Sequence, residues 1–566
     1  MKFKYIFLSI FSYFLFASLY SQAQSKYPQD YFRSPIEGRI YLSGTFGELR
    51  SNHFHAGLDI KTGGSVGKNI YAAAEGWVSR VKISPWGYGN AIYIEHPNGF
   101  TTVYGHLKEL KGPIAKYIKQ QQYKKQKFAV DIYLKAHQFE IAKNDIIALS
   151  GNSGGSGGPH IHFEIRETAT QEPINPLLFG IEVKDFITPL IKSLRIFPAE
   201  NGTLIQGKNQ AENFILKGWG KNYTLKNGDS IVINGDFYLG ISAIDKQNDS
   251  HNKNGVYQIK VFADSVLYYY HNVERTNFST SRYINSLIDY KYYKTKKRRY
   301  QRTYISPNNK LNIYHNIKNG GVFSFNDSTY HLIKYEVKDA TGNTSILNFT
   351  ILSLPVDSVI SRPSNYAFNP LKENTYKDND IEIYFPARCL YDTLTFDSVR
   401  QSHYKKSVSP IFHIGNTSVG LQKSIQVKLN NITLADSLKN KVYIGEVDGK
   451  QIYPSTAKWE GEQLAFKTRS FGKFGVFIDS IPPSIHLETK TDKILGTTKL
   501  VFIVKDKESG ISKYNAWLNG NWAMLQWDPK TNSMFYQSSN KFKAKDSFKV
   551  VITDKTGNIS KQIFIF

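Results

Sequence analysis

From about residue 183 onward, the chain consists of short apolar runs that are separated by turns. The runs are rich in Tyr, Phe, Ile and Val, and the turns contain Asn, Asp, Gly and Lys. Periodic segments of helical length are nearly absent, so we interpret the runs as antiparallel strands. A chain of 566 residues with 41% hydrophobic residues can bury several cores. The sequence therefore predicts a mainly β protein of several domains and excludes a disordered chain.

Two stretches of this β-rich region share a set of landmarks. DFITPLI resembles DSIPPSI, VKDATGN resembles ITDKTGN, and AIDKQND and VKDKESG occupy matching places between them. Internal repetition of this kind indicates two copies of one folded unit. We therefore predict two Ig-like β-sandwich domains, at residues 185–355 and 481–566, with a further β-rich domain at 356–480 between them.

The first predicted sandwich carries a basic insertion, KYYKTKKRRYQR. Clustered cations with interleaved tyrosines can bind an anionic polymer, but nothing in this run fixes a binding geometry. A solvated loop or an edge strand that its charge protects from aggregation has the same composition. We favour this second interpretation.

The amino terminus has the layout of a secretory signal peptide. A short basic start precedes an apolar run from Tyr5 to Leu19, and small residues lead to a plausible cleavage point after Ala23. This run is shorter than the ~20 residues that span a bilayer. We predict that residues 1–23 are removed, that the mature chain begins near Gln24, and that it has no membrane-spanning segment. The protein is then exported to the periplasm, the cell envelope or the extracellular medium.

The chain has a large excess of positive charge, with 72 Lys and Arg against 47 Asp and Glu and a formal net charge of +25. Residues 1–23 hold two lysines and no acidic residue, so the exported chain keeps +23. This charge favours anionic partners. Export excludes nucleic acid and leaves anionic polymers of the envelope. The single cysteine, Cys389, excludes an intrachain disulfide and a Cys-rich zinc module, and we interpret it as a small buried residue.

Half of the 14 histidines lie between residues 53 and 162, together with glycine-rich turns. Within this region, HIHFEIR alternates strictly between polar and apolar residues. In a strand, His160, His162 and Glu164 therefore share one face, and the apolar residues face the core. Two imidazoles are thus presented two residues apart on one surface.

Two further segments present histidines or acids in a regular spacing. NAIYIEHPNGFTTVYGHL predicts a hairpin that turns at PNG, and Tyr104 and His106 are expected to share a face of its return strand. HAGLD places His55 four residues before Asp59, which puts both side chains on one side of a strand or a helix.

A catalytic zinc site needs three nitrogen or oxygen ligands from the protein and a fourth position that is open to water. Any one of these histidines alone is better explained as a surface or core residue. Several of them with an aspartate, in a segment dense in glycine turns, favour a metal site instead. The residues therefore predict a zinc site in this region.

HAGLD, YGHL and GNSGGSGGPHIHFEIR resemble the lysostaphin-type zinc metallopeptidases, also called LytM-like or β-lytic metallopeptidases. The signature of that family is H-x-G-x-D, then a single histidine, then H-x-H. The resemblance covers about residues 38–183, and the order, spacing and flanking glycines of the motifs all agree. It implies a compact antiparallel β-sheet peptidase domain of the duplicated hybrid motif type, which we place at residues 24–184.

The resemblance also implies a role for each motif residue. His55, Asp59 and His162 match the ligands of one Zn²⁺ per chain, and His106 and His160 match the catalytic histidines. A neutral histidine beside the metal can accept a proton from the attacking water, and a histidine donor can stabilise charge on the peptide oxygen. Which of the two catalytic histidines is the base stays open, and Tyr104 is expected to line the groove. Three other histidines have no matching role: His53, His96 and His137.

One departure from the family is a long connection after His106. Pro113 can begin a helix, so we predict a helical insert at about residues 113–127. Such an insert can form a wall of the substrate groove or support the sheet from outside, and both interpretations stay open.

Three functions are compatible with these features. The resemblance implies a secreted zinc endopeptidase that hydrolyses the peptide cross-links between the stem peptides of bacterial peptidoglycan. One alternative is a regulator without catalysis that activates other cell-wall hydrolases, as some relatives that have lost ligands do. The other alternative is a secreted peptidase that acts on proteins. The intact motif favours the endopeptidase, and the β domains that follow it can target, bind a partner or cover the active groove.

Overall fold

A computed structural model of the protein describes residues 26–228, 230–356, 367–396, 398–488, 498–538 and 542–566. The predicted signal peptide lies outside these ranges. Strands dominate the described chain, which confirms the mainly β prediction. None of the helices in the described ranges is both long and apolar enough to cross a membrane. The strands group into four units around separate cores: the first (26–184), the second (185–356), the third (367–480) and the fourth (481–566).

The first unit contains strands β1 to β14, a helix α1 and a short 3-10 helix. The strands are Leu42–Gly44, Leu49–Arg50, His53–Phe54, Leu58–Lys61, Asn69–Tyr71, Gly76–Ile83, Asn90–Glu95, Phe100–Leu107, Glu109–Leu110, Val130–Tyr133, Glu140–Ile141, Ile146–Leu149, His160–Glu167 and Pro173–Ile174. Helix α1 is Gly112–Lys125, and the 3-10 helix is Pro176–Phe179.

The larger sheet of the first unit has the strand order β1-β4-β13-β8-β7-β6-β10. Its neighbouring strands are antiparallel. Strand β13 lies at the centre of the sheet, and its apolar residues Ile161, Phe163 and Ile165 are fully buried in the core. A smaller sheet with the order β5-β12-β9 completes the unit. The predicted hairpin is present as β7 and β8.

Helix α1 begins with Pro near its first turn and ends at Gln126, which has a left-handed backbone conformation. Its buried residues are Ile114, Ile118 and Gln122, which lie on one side at helical spacing. Ile114 and Ile118 belong to the core of the first unit. The helix therefore supports the sheet from outside.

The second unit contains strands β15 to β27 and two short α-helices. The strands are Leu190–Pro198, Leu204–Ile205, Glu212–Phe214, Leu216–Trp219, Asn222–Leu225, Ser230–Asn234, Phe237–Ile244, Gln258–Ala263, Val266–Asn272, Gln301–Arg302, Tyr314–Ile317, Tyr330–Lys338 and Thr344–Leu354. The helices are α2 (Ile284–Leu287) and α3 (Tyr290–Lys296), and 3-10 helices are found at Ser281–Tyr283 and Asn319–Gly321. A four-stranded sheet and a nine-stranded sheet share one core.

The third unit contains strands β28 to β39. They are Ala367–Phe368, Asn374–Lys377, Ile381–Phe385, Leu394–Thr395, Arg400–Ser402, Ile411–Ile414, Gly420–Leu429, Val442–Asp448, Gln451–Ser455, Lys458–Glu460, Gln463–Ser470 and Gly472–Ile478, with a 3-10 helix at Asp436–Lys441. Two five-stranded sheets form most of this unit. Cys389 is a free, buried residue of its core, as the sequence predicts.

The fourth unit contains strands β40 to β47. They are Ser484–Glu488, Thr498–Lys505, Ile511–Leu518, Asn521–Ala523, Gln526–Asp528, Ser533–Ser538, Ser547–Asp554 and Ile559–Ile565. Two four-stranded sheets, β40-β41-β45-β44 and β43-β42-β46-β47, pack on one core. Phe502 of the first sheet and Phe548 of the second lie with ring centroids 5.6 Å apart in that core.

The basic insertion folds against the first unit. Its first part is helix α3, so the expectation of a loop or an edge strand is wrong for these residues. The Asp289 side chain caps the helix by accepting a hydrogen bond from the Tyr292 amide. Tyr293 in this helix contacts Ser51 of the first unit through their hydroxyl groups at 3.1 Å. Buried Ile284 and Leu287, just before the helix, belong to the core of the first unit.

Candidate metal centre

Strand β13 lies between β4 and β8 and positions the histidine pair. His162 is opposite Asp59 of β4 on one side and Gly105 of β8 on the other. The alternation of the strand turns His160 and His162 away from the apolar core, as the sequence predicts. His55 lies just before β4, and its side chain is in contact with that of Asp59 in this strand. His55, Asp59, His160 and His162 therefore come together because β4 and β13 are neighbouring strands.

His55, Asp59 and His162 form a compact triangle of potential ligand atoms. His55 Nε2 lies 3.0 Å from both Asp59 Oδ1 and His162 Nδ1, and the latter two atoms are 2.9 Å apart. Tetrahedral zinc ligands at 2.0–2.1 Å from the metal lie about 3.3–3.4 Å from one another. The three residues are buried, at 3%, 5% and 3% exposed. Their donor types, spacing and burial fit a zinc ion.

A charged pair behind His162 fixes the orientation of its ring. His162 Nε2 donates to Glu164 Oε1 at 2.7 Å, and Arg166 Nε donates to Glu164 Oε2 at 2.6 Å. Glu164 is fully buried and Arg166 is 5% exposed. A carboxylate on the far nitrogen of a ligating histidine sets the tautomer and makes the ring a better ligand. Tyr88 stacks on the other side of His162, with ring centroids 5.0 Å apart.

The other two members of the triangle are also held from behind. His55 Nδ1 donates to the Thr45 carbonyl oxygen at 2.8 Å, which leaves Nε2 free to face the triangle. Arg50 donates to Asp59 Oδ2 at 2.6 Å, so one carboxylate oxygen is paired and Oδ1 is directed at the histidines. His55 Nε2, Asp59 Oδ1 and His162 Nδ1 are therefore directed at a common centre, where a metal ion can bind.

His106 and His160 lie at the edge of this triangle. Their ring centroids are 4.8 Å apart, and His106 lies 5.9 Å from the His162 ring. His106 Nδ1 donates to the Ser153 carbonyl oxygen at 2.8 Å, and His160 Nδ1 donates to the Gly158 carbonyl oxygen at 2.8 Å. Both Nε2 atoms are therefore without a proton when the rings are neutral. His160 Nε2 lies 3.3 Å from Asp59 Oδ1.

The expectation that Tyr104 and His106 share a face is wrong. Tyr104 is fully buried in the core, with its hydroxyl accepting a hydrogen bond from the Ala73 amide, and it is not a groove wall. The pairing of β7 with β8 is irregular next to these residues, and His106 has a φ of +59°. This bulge interrupts the alternation and turns the His106 side chain towards the centre.

Burial and hydrogen bonds shift the pKa values of the centre in opposite directions. It lowers the pKa of His55 to about 4 and, together with the nearby His162 and His160, lowers the pKa of His106 to about 3. Burial would raise the pKa of Asp59, but His55 and hydrogen bonds from His160 and His162 hold it well below its usual range. Against burial, hydrogen bonds to Asp59 and Glu164 raise the pKa of His162 to about 9. The ionised aspartate is the form that binds a metal.

The three histidines without a family role lie away from the triangle. His53 and His137 are exposed. His96 is buried and bonded to the Glu75 carbonyl oxygen and to Thr102. They serve as internal controls for experiments on the centre.

Several supporting residues carry no sequence signal of their own. Thr45 and Ser153 contribute through their main-chain oxygens, and Arg50 precedes the HAGLD motif without a fixed spacing. Glu164 and Arg166 are different, because they continue the polar face of HIHFEIR. The alternation of that strand predicts that Glu164 shares a face with His162, and Arg166 is the next residue on that face.

Two parts of the chain match known families. Residues 53–128 match peptidase family M23, and residues 365–479 match a Zu5-like domain. The first match contains His55, Asp59 and His106, and it ends before His160 and His162.

Curated relatives match the same part of the chain. DD-carboxypeptidase/endopeptidase Mpg from Neisseria meningitidis is 28% identical over 149 residues, which are 25% of this chain and 28% of Mpg. Peptidoglycan DD-endopeptidase ShyA from Vibrio cholerae is 24% identical over 26% of this chain and 30% of its own length. Murein hydrolase activator NlpD from Escherichia coli is 30% identical over 27% of this chain and 32% of its own length.

The chain thus spans about a third or less of the length of these relatives. The relatives include endopeptidases and an activator, so their names alone do not assign an activity to this chain. The motif order, the converged residues and the family match all concern the same sheet. This chain therefore carries a domain of peptidase family M23.

Proposed function

We propose that this protein is an exported zinc-dependent endopeptidase that hydrolyses peptide cross-links of bacterial peptidoglycan. The observation that carries the proposal is the convergence of His55, Asp59 and His162 beside two further histidines, with each member held by its own hydrogen bond. His55, Asp59 and His162 hold the zinc, one ion per chain. A regulator that needs no catalysis has no use for such a complete arrangement.

When bound, zinc supplies a Lewis acid that activates water and polarises the peptide carbonyl group. The protein residues accept and donate the protons of the reaction. His160 Nδ1 donates to the Gly158 carbonyl oxygen, so Nε2 of the neutral ring, next to Asp59, is placed to accept a proton from the attacking water. His106, on the other edge, also presents its Nε2 in the neutral ring, so either histidine can act as the base, and the ring that has taken up a proton can then donate to the oxygen of the attacked carbonyl. Both rings keep their orientation through main-chain oxygens of one glycine-rich loop.

The substrate class is proposed from the relatives and from the charge of the chain. ShyA is a peptidoglycan DD-endopeptidase and Mpg is a DD-carboxypeptidase/endopeptidase. The net charge of +23 on the exported chain favours association with anionic polymers of the envelope. Binding to purified sacculi should therefore weaken as salt is added.

The test is the zinc content of the purified protein together with the release of soluble muropeptides from sacculi, followed by mass spectrometry. We expect wild type to bind one zinc ion. It should cleave the cross-links of sacculi, so that cross-linked muropeptides are replaced by monomers in the mass spectrum. His162→Ala should lose both zinc and activity, and His160→Ala should keep zinc and lose activity. His53→Ala, an exposed histidine two residues before His55, is the matched control and should behave as wild type. Zinc-loaded wild type that releases no more than His162→Ala contradicts the proposal.

A second candidate is an activator of other cell-wall hydrolases, which the similarity to NlpD favours. This function predicts that His162→Ala and His160→Ala complement a deletion strain as well as wild type does. Loss of complementation by both variants supports the endopeptidase. Cleavage of casein but not of cross-linked muropeptides would identify a peptidase that acts on proteins.

A further inference from the structure

Three aspartates converge where the first unit meets the second. Asp185 lies at the start of the second unit, Asp245 follows β21 and Asp339 follows β26. One carboxylate oxygen of each lies within 4.8 Å of the others. They are the landmark aspartates of the first sequence repeat, and none of them belongs to the histidine centre.

Two buried oxygen atoms, on residues that line a cavity at this cluster, have no hydrogen-bond partner among the described residues. These atoms are Asp245 Oδ1 and Asn254 Oδ1. Asp245 is 4% exposed and Asn254 is 3% exposed, so water from the bulk does not solvate them. A buried oxygen without a partner costs about 1–3 kcal/mol. Both residues line one cavity of about 20 Å³ with Asp185 and Asp339, large enough for one ion or one water molecule.

The cluster concentrates negative charge. Asp339 Oδ1 accepts hydrogen bonds from the amides of Thr341, Gly342 and Asn343, which fix the position of its carboxyl group. Burial, together with Asp339 and Asp185, raises the pKa of Asp245 to about 9. No basic side chain is among the described residues that line the cavity, so a bound cation would offset the repulsion between these acids.

The fourth unit provides a comparison within the same chain. Asp479, Asp506 and Asp554 form the corresponding cluster of the second repeat. There, Ser509 donates to Asp479 Oδ2 through its amide at 3.1 Å and its hydroxyl at 2.6 Å. Asn254 in the first repeat precedes a glycine, Gly255, just as Ser509 precedes Gly510. The second cluster is satisfied by protein donors, whereas the first one presents unpaired oxygens to a cavity.

We propose that Asp185, Asp245, Asp339 and Asn254 bind a calcium ion. All the donors are oxygen atoms, which select a hard cation over zinc. Calcium takes oxygen ligands at 2.3–2.6 Å, so two ligands on opposite sides of one ion lie about 5 Å apart. The observed separation of up to 4.8 Å fits this limit. Calcium also accepts irregular geometry, whereas magnesium demands a near-ideal octahedron.

The bound ion would join two units. The first unit contributes Thr45 and Phe46 to the wall of the cavity, and the second unit contributes the charged ligands. Thr45 Oγ1 accepts a hydrogen bond from the Gly255 amide at 3.1 Å, next to the ligand Asn254. The carbonyl oxygen of the same threonine holds His55. Calcium therefore stabilises the junction that supports one side of the histidine centre.

The test is calcium binding by the full-length protein after its zinc site has been saturated with zinc. Radioactive calcium in equilibrium dialysis gives the stoichiometry, and thermal unfolding with and without calcium gives the shift in Tm. Asp245→Asn keeps the shape of the side chain and removes its charge. Without calcium this variant should melt no lower than wild type, because a neutral amide removes the cost of burying an acid beside Asp185 and Asp339. Asp506→Asn in the fourth unit is the matched control.

We expect wild type to bind one calcium ion more than Asp245→Asn, and Asn254→Ala to bind that ion at least tenfold more weakly. Calcium should raise the Tm of wild type and Asp506→Asn by several degrees and leave that of Asp245→Asn unchanged. Equal calcium stoichiometry in wild type and Asp245→Asn overturns the proposal. An equal calcium-dependent rise in Tm in these two proteins also overturns it. Neither readout depends on peptidase activity, so the proposed function stands or fails separately.

Discussion

Gly57 in HAGLD lets the segment from His55 to Asp59 lie directly against β13. A Cβ atom at this position would lie 2.3 Å from the Phe163 carbonyl oxygen and 2.8 Å from Glu164 Cγ. Displacing the main chain of a central strand or a fully buried glutamate costs stability. The glycine of the motif is therefore required by close packing behind the metal ligands.

We predict that Gly57→Ala separates β13 from the His55–Asp59 segment and weakens zinc binding at least tenfold. Crowding of this kind costs about 1–3 kcal/mol of stability, so Tm should fall as well. Zinc affinity is measured by competition with a chelator. Gly157→Ala is the matched control, because a Cβ atom at Gly157 meets nothing within 4 Å. Unchanged zinc affinity in Gly57→Ala would show that the two segments separate without moving the ligands.

Glu164 acts on the metal centre through His162. We predict that Glu164→Gln lowers zinc affinity by about 10–100-fold, since the ring loses the carboxylate that orients it and makes it a stronger ligand. Arg166 also loses its buried partner, so a drop in Tm is expected. Glu167→Gln, on the same strand but paired with Arg275 at its edge, should keep wild-type affinity. Equal zinc affinity in both variants would exclude this role.

The sequence placed the residues of β13 correctly because strict alternation survives in a central, regular strand. His160, His162 and Glu164 share a surface there, as HIHFEIR predicts. The same reasoning failed one strand away. His106 has a positive φ at a bulge, and no alternation pattern reveals which residue a bulge displaces. Motif resemblance identified His106 although strand periodicity put it on the wrong face.

Helix α1 illustrates how an insert supports the sheet. Ile114 and Ile118 are 2% and 3% exposed, whereas its remaining surface is mostly polar. Length and Pro113 were enough to predict the helix. The helical spacing of Ile114 and Ile118 also predicted the apolar side, but not its partner, because a short helix with few apolar residues can pack on a sheet or border a groove.

We predict that Ile118→Ala destabilises the first unit by about 2–5 kcal/mol, since it leaves a cavity in the core. The lowest-temperature transition in calorimetry should shift down, and zinc should restore part of the loss because it binds only the folded unit. Lys119→Ala, on the exposed side of the same helix, should leave the transition unchanged. If the transition temperature of both variants equals that of wild type, packing of the helix does not stabilise the first unit.

Units two and four both touch the M23 domain, on different sides of the centre. The second unit reaches its core and the junction near Thr45. The fourth unit reaches two loops beside the candidate catalytic histidines, residues 86–89 and 152–158, which we call the rim. Internal repetition in the sequence predicted two similar β units. Their different contacts could not be predicted, since they depend on a few surface residues such as Trp527 and Lys530.

The fourth unit contacts the rim through these two side chains. Trp527 packs edge-on against Trp86 with ring centroids 5.5 Å apart, and Lys530 donates to the main-chain oxygens of Asn152 and Ser156. The same loop orients His106 through Ser153 and His160 through Gly158. The contact therefore joins the fourth unit to the loop that orients both histidines.

We predict that the double variant Trp527→Ala/Lys530→Ala releases muropeptides from sacculi several-fold faster than wild type. An aromatic pair contributes about 0.5–1.5 kcal/mol beyond its buried area, and 1.4 kcal/mol corresponds to a tenfold change in the population with a free rim. Trp517→Ala/Lys543→Ala changes the same residue types elsewhere in the fourth unit and should leave the rate unchanged. Trp517 contacts Lys549 within that unit. The rate of hydrolysis of a small soluble cross-linked peptide should rise less than the rate with sacculi, because the contact hinders a large substrate more. Equal or slower release from sacculi by the double variant would show that the fourth unit assists the enzyme, by holding the rim in its productive shape.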